Sequence, residues 1–157
     1  MTAALWRREA GEMPREIGWR AARIAGTWIG TPYRHQGGRK DVGCDCLGLV
    51  RGVWGELYGR EAERPGAYDV DWAVRGEGEL MLEAARRHLD ERTGEAPLTG
   101  DVLLFRWRER LPASHCGILD AEGRLVHAYE GSAVVSSAIP EAWMRRLAGL
   151  FRFPDTP

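Results

Sequence analysis

Long apolar runs are missing from this chain. Its hydrophobic stretches are short and interrupted, and none offers the roughly 20 residues that a membrane-spanning helix needs, so no membrane insertion is expected. The start, Met1-Thr2-Ala3-Ala4-Leu5-Trp6-Arg7-Arg8, lacks the basic-then-apolar order of a secretion signal, and cytoplasmic synthesis without a signal peptide is expected. A surplus of positive charge is missing too. With 22 basic against 23 acidic residues the formal charge is -1, which removes the counterion-release drive on which nucleic-acid binders depend. Lysine is nearly absent, Lys40 standing alone among arginines, a skew that carries no functional signal. Cysteine is scarce. Three cysteines form no closed disulfide framework, and Cys44 and Cys46 are too close in sequence for a structural bridge, so reduced thiols are expected.

What is present describes an ordinary globular chain. Hydrophobic residues make up 44% and charged residues 29% of 157, and a domain of that size buries roughly 70% of its unfolded surface without staples. One domain over residues 1–157 is expected, with no internal repeat or linker. Ile17, Ala21, Ile24, Ala25 and Trp28 recur at helical spacing and predict a helix over Arg15–Ile29, between Pro14 and Gly30. Residues 30–43 are rich in glycine and polar groups and read as a long loop, a class often tied to function. Leu47, Leu49, Val50, Val53, Trp54, Leu57 and Tyr58 predict a second helix over Asp45–Tyr58, stopped by Gly59. After a region rich in Arg, Glu and Gly from Arg60 to Gly78, a third helix is predicted over Leu80–Arg92, with Leu82, Ala85 and Leu89 inward and Glu83 spaced to pair with Arg87.

Beyond Pro97-Leu98-Thr99-Gly100 the pattern changes to short β-forming runs: Asp101–Trp107, His115–Asp120, Leu125–Tyr129, Ala133–Ser137 and Leu150–Phe153. Ala121-Glu122-Gly123 reads as a hairpin turn between the second and third runs. Helices first and antiparallel strands later predict an α+β fold.

Three residues in this layout carry chemistry. Cys46 falls in the first turn of the second helix, where unpaired backbone N–H groups and the positive end of the helix dipole favour a thiolate. His115 opens a predicted strand directly after Pro112-Ala113-Ser114, within reach of a facing helix end, and suits a general base and then acid. His127 lies in the neighbouring hairpin strand, where it can bond to the His115 ring and fix its tautomer, the part a third group plays in a triad. Each has a bland reading, a buried cysteine or a packed histidine. The three at compatible places favour nucleophilic catalysis.

Gly30-Thr31-Pro32-Tyr33-Arg34, Cys44-Asp45-Cys46-Leu47-Gly48-Leu49-Val50, Gly100-Asp101-Val102-Leu103-Leu104-Phe105, Ser114-His115-Cys116-Gly117-Ile118 and Val126-His127-Ala128 resemble, in order, motifs of the NlpC family of papain-like cysteine peptidases. Members typically cut peptide bonds in the stem peptides of bacterial cell-wall murein. The similarity spans about Ile24 to Tyr129. It implies a papain-like fold, N-terminal helices packed on an antiparallel sheet, and murein stem peptides as substrate. Position by position it implies Cys46 as nucleophile, His115 as base, His127 as polar third member and Tyr33 as a helper for the oxyanion. Asp45 matches an acidic residue that in some members contacts the free amine of the stem peptide. No metal or organic cofactor is implied. The resemblance is nearest to cell-wall peptidases encoded with tail genes of phages and phage-like gene transfer agents, which implies action at the cell wall after delivery in a phage-like particle, with tail proteins as partners.

The chain departs from the family in places. Leu47 stands where the residue after the nucleophile is commonly serine, and His35 and Gln36 stand where an aromatic residue and glycine are frequent. Cys44 and Cys116 are extra thiols beside two catalytic positions. Ser114, next to the base, and Trp107, in the stretch approaching it, are the further substrate-binding candidates; Trp28 and Trp54 read as core, and Trp6, Trp19, Trp72 and Trp143 stay unassigned. A zinc site built from Cys44, Cys46, His115 and Cys116 is disfavoured, because Cys-Asp-Cys and His-Cys are tighter than structural zinc spacings. A tail-assembly component that uses the fold only structurally and a different cysteine amidase or acyl hydrolase are the competing functions.

Overall fold

A computed structural model of the chain describes residues 13–66 and 78–157. Trp6, Trp72, the segment read for a signal and the middle of the Arg60–Gly78 region lie outside the described residues.

Helix α1 covers Glu16–Thr27 and buries Ala21, Ala22 and Ala25, small residues that let it lie close to the helix that follows the loop. Trp28, just past its end, joins them in the core. The stretch read as a loop carries a small ribbon, β1 (Gly38–Arg39) paired antiparallel to β2 (Gly43–Cys44), and Tyr33 bridges Cys44 in parallel. Inside it, the Asp41 N–H donates to Thr31 Oγ1 at 3.0 Å, so the buried threonine braces the loop. Helix α2 (Cys46–Tyr58) turns Leu49, Val53, Trp54 and Leu57 inward and stops at Gly59, whose φ of 71° is the left-handed conformation glycine takes at little cost.

The third predicted helix is shorter than its pattern. Helix α3 runs Leu80–His88, and Asp90–Arg92 leave it as strand β3. Polar residues at helical spacing carry little packing information, and the pairing of β3 with β8 (Leu147–Arg152) supplies backbone bonds that a further helical turn would have to match. Nor does Arg87 pair with Glu83: its guanidinium reaches Glu63 at 2.7 Å. The remaining strands are β4 (Val102–Phe105), β5 (His115–Leu119), β6 (Leu125–Ala128) and β7 (Val134–Ser137), with a one-turn helix α4 (Glu141–Met144) before β8. They form a sheet of order β3-β8-β4-β5-β6-β7, every pair antiparallel. The predicted hairpin joins β5 and β6. Asp120 Oδ1 accepts from the N–H groups of Glu122 and Arg124, and Gly123 turns at a φ of 76°.

Alternation along the strands divides the packing in two. Val102, Leu104, Cys116, Ile118, Val126 and Ala128 face α1 and α2, with Trp28 and Trp54 in that layer as expected. Leu103, Phe105, Leu119 and Leu125 face the other way, under Trp143, Met144 and Leu147. The α+β expectation, helices on an antiparallel sheet, matches this architecture.

Candidate active site

The first wall of the site is the start of α2. Asp45 is its N-cap: Oδ1 accepts from the Gly48 N–H at 2.8 Å and Oδ2 from the Gln36 N–H at 2.9 Å, with the carboxylate buried. The same side chain thus begins the helix and pins the loop before it. Gln36 reaches it with a φ of 61°, a left-handed conformation that costs a non-glycine residue about 1–2 kcal/mol and rationalises the glycine frequent there in the resembling family. Gly48 is needed for another reason. A Cβ there would fall 1.8 Å from the Gly37 carbonyl oxygen, so only glycine lets the first turn lie against the loop.

Cys46 is the first residue of α2 and partly exposed. Its thiol is held well below the ordinary range, first by the neighbouring Cys116 thiol and then by the His115 imidazole, against the opposing effects of burial and the Asp45 charge. The neighbouring Cys44 goes the other way. Burial, then the charges of Asp45 and Cys46, push it up to about 12, so it stays a thiol. Tyr33, beside Cys46, is likewise pushed up to about 12 by burial and then by Cys46 and Asp45, which keeps its phenol an O–H donor. The Gly48 N–H is taken by the cap and the Leu49 N–H donates to the Asp45 carbonyl at 3.0 Å, leaving the N–H groups of Cys46 and Leu47 as first-turn donors that the helix does not use.

The second wall is the start of β5. His115 Nε2 lies 2.8 Å from His127 Nδ1, and His127 Nε2 lies 2.8 Å from Ser137 Oγ. His127 is 1% exposed; burial, then the neighbouring His115, pushes its pKa down to about 4, so it is neutral near pH 7 and carries one ring proton. With that proton on Nε2, donated to Ser137, Nδ1 accepts from His115. The other ring nitrogen of His115, Nδ1, is then the one free to serve Cys46, whose thiolate the neighbouring imidazole favours.

Two residues of this wall were not found from the sequence. Ser137 sits diagonally across from His127, whose direct partner in β7 is Val135; a hydroxyl at the end of the fourth β-forming run was the available signal. Trp143 of α4 meets both imidazoles edge-on at 5.6 Å and Trp107 at 5.1 Å, and nothing local announces that a one-turn helix returns over the histidines. Trp107 stacks on His115 at 5.4 Å while remaining 37% exposed, at the rim. Tyr129, 53% exposed, flanks His127 at 5.9 Å. Ser114 is beside the site, and its hydroxyl oxygen is buried without a hydrogen-bond partner among the described residues.

The loop before His115 is strapped down by Glu79, which accepts from the Arg106 guanidinium at 2.7 Å and from the Ala113 N–H at 2.9 Å; Arg106 also donates to the Leu111 carbonyl. A cavity of about 300 Å³ between α2 and α3 is lined by Leu47, Val50, Trp54, Met81 and Cys116 among others, but not by Cys46, His115 or His127, so it lies beside the chemistry rather than in it. Among the described residues no three His, Cys, Asp or Glu side chains are grouped as a metal site would require, and the Cys44, Cys46, His115 and Cys116 set is no exception. No helix among them is long and apolar enough to cross a membrane.

Known proteins share this fold. The NlpC/P60 family model matches residues 30–152. The chain is 30% identical over 129 residues to the gamma-DL-glutamyl hydrolase of Bacillus subtilis, covering 82% of this chain and 27% of that protein. It is 26% identical to a probable endopeptidase NlpC homolog of Haemophilus influenzae (80% and 56% covered) and 29% identical to the murein DD-endopeptidase MepS/murein LD-carboxypeptidase of Escherichia coli (76% and 53% covered). It therefore spans about half the length, or less, of these curated relatives. Among solved structures, the NlpC/p60 domain of the peptidoglycan hydrolase SagA superposes with a TM-score of 0.57 at 21% identity, over 87% of this chain and 98% of that one. A family protein from Bacillus cereus superposes with a TM-score of 0.64 at 16% identity, over 93% and 43%. These likenesses establish the papain-like α+β fold.

Proposed function

The chain belongs to the NlpC/P60 family, and on that premise we propose that it is a cysteine peptidase that hydrolyses murein stem peptides through a Cys46-His115-His127 triad. The observation that carries this reading is the 2.8 Å contact between His115 Nε2 and His127 Nδ1, which orients the base and leaves its other nitrogen to the thiol. The Cys46 thiolate attacks the scissile carbonyl. The resulting oxyanion is met by the first-turn N–H groups and the Tyr33 hydroxyl, and His115 gives its proton to the leaving amine. Water, deprotonated by the same imidazole, then hydrolyses the thioester. None of these steps calls on a metal or organic cofactor.

Murein as substrate is supported by the names of the Escherichia coli relative and of the SagA structure. The Bacillus subtilis gamma-DL-glutamyl hydrolase supports a second reading, a related amide outside the wall cut by the same groups. Asp45 is committed to capping, so contact with a substrate amine would use what remains of its lone pairs; Ser114, with its unpartnered hydroxyl, and Trp107 at the rim are the other binding residues proposed. The proposal includes one domain over residues 1–157, action at the cell wall, and delivery by a phage-like particle with tail proteins as partners, the last supported by sequence resemblance alone.

The test is mass spectrometry of purified murein fragments incubated with wild type and with Cys46→Ala. New stem-peptide fragments from wild type alone are expected, and their masses identify the bond. Cleavage retained by a folded Cys46→Ala protein would sink the mechanism, and no cleavage by either, with gamma-glutamyl peptides cut instead, would move the substrate to the second reading.

A further inference from the structure

We infer that Cys116 is a positioning residue for the nucleophile: its buried S–H lies against Cys46, with the Cys46 carbonyl oxygen and the Cys46 sulfur as the two acceptors between which it switches. The inference rests on the reading of Cys46 as nucleophile and adds to it a second residue of β5.

Consecutive residues of a strand point to opposite faces. His115 therefore joins His127 and Trp143 on one face, while Cys116 joins Val102, Leu104 and Ile118 under the helices. Both nevertheless meet Cys46, because the first residue of α2 sits over the start of β5. Cys116 Sγ is 3.3 Å from the Cys46 carbonyl oxygen, within the range of a sulfur donor, and 2% of the residue is exposed. One thiol has one proton. When Cys46 is protonated that proton is donated to the carbonyl oxygen, and when Cys46 ionises it turns to the thiolate.

The groups facing the Cys46 sulfur make this donor consequential. Asp45 brings negative charge from the cap, Tyr33 and Cys44 from the loop are neutral, and His115 and Cys116 come from β5. Among these, Cys116 and His115 favour the thiolate, and burial and Asp45 oppose it. Cys116 keeps its own proton, since the bond to Cys46, burial and the nearby negative charges all raise it. It also lines the cavity of about 300 Å³ between α2 and α3, which gives a branched side chain room at this position.

The experiment is alkylation of Cys46 by iodoacetamide across pH, with the modified residue identified by peptide mass spectrometry, in wild type, Cys116→Ser, Cys116→Ala and Cys116→Val. The pH midpoint is expected to rise by about one unit in the Ala and Val variants, a roughly tenfold loss of rate below the midpoint, while Cys116→Ser, which keeps a donor, stays near wild type. Thermal melts identify the variants that are folded, and the two apolar replacements differ in size so that either suffices. An unchanged midpoint in the folded Ala or Val variant, or a serine variant shifted as far as alanine, would overturn the inference. No murein enters the assay, so failure to cleave murein bears on the substrate alone.

Discussion

The two walls of the site are held in place by different means. At the start of α2 the chain fixes itself locally: Asp45, Gln36 and Gly48 lie within thirteen positions of one another, and the backbone N–H groups of the last two donate to the Asp45 carboxylate. At the start of β5 the side chains are fixed from afar, His115 by His127, His127 by Ser137, and both rings by Trp143 from a helix late in the chain. Placing a nucleophile needs only a helix end and a cap, although ionising it draws on Cys116 and His115 of the other wall. A base needs a defined tautomer, and no local rule of the backbone supplies one.

The comparison is broken most directly at His127. Replacement by Gln should lower turnover about a hundredfold by freeing the His115 ring, and it should also change stability in acid. In the wild type the unfolded chain takes up a proton on His127 below its ordinary 6.5, whereas the folded chain does so only near 4. This contribution is full above pH 6.5, falls as pH drops through that window, and is gone below 4, with a total of the order of 3 kcal/mol. Asp101, which burial pushes up to about 6, acts in the opposite sense in both proteins and cancels in their difference. Chemical denaturation of wild type and His127→Gln between pH 7 and pH 4 should thus converge in acid, and parallel curves would contradict a neutral buried His127.

The helix wall should yield by a smaller amount, mostly in stability. Asp45→Ala strands the N–H groups of Gly48 and Gln36 and should cost about 2 kcal/mol in urea unfolding, whereas Asp45→Asn should recover most of it. Equal losses for both would mean that charge, not capping, is what Asp45 supplies. The smallest effect is expected at the far end of the relay. Ser137→Ala should reduce kcat by about fivefold with KM unchanged, and a change confined to KM would place this hydroxyl in binding instead.

The same contrast explains what was legible in the sequence. The α2 start could be read because cap, apolar spacing and terminal Gly59 all fall within one segment, and the β5–β6 hairpin because Asp120 and Gly123 carry its turn. The His115–His127 contact could be anticipated from the hairpin. Its continuation to Ser137 could not, since it depends on the diagonal register of β6 and β7. Strand β3 was hidden because Asp90–Arg92 continue a helical spacing and owe their conformation to β8, some sixty residues away. Arg87 likewise finds Glu63 in a separate segment rather than Glu83 on its own helix. The Gly30–Gly43 loop was legible as a loop, but not its ribbon, because two-residue strands have no period to detect.

Glu79 gives the strand wall a property that its length would not suggest. One carboxylate grips both the beginning and the end of the segment leading to His115, and although burial works against the charged form, the bonds from Arg106 and Ala113 hold it below the ordinary carboxylate range. The strap therefore stays fastened in mildly acidic surroundings. A connection tied at both ends has few conformations left to give up, so the disorder that an arriving ligand would otherwise have to quench is already spent when the chain folds.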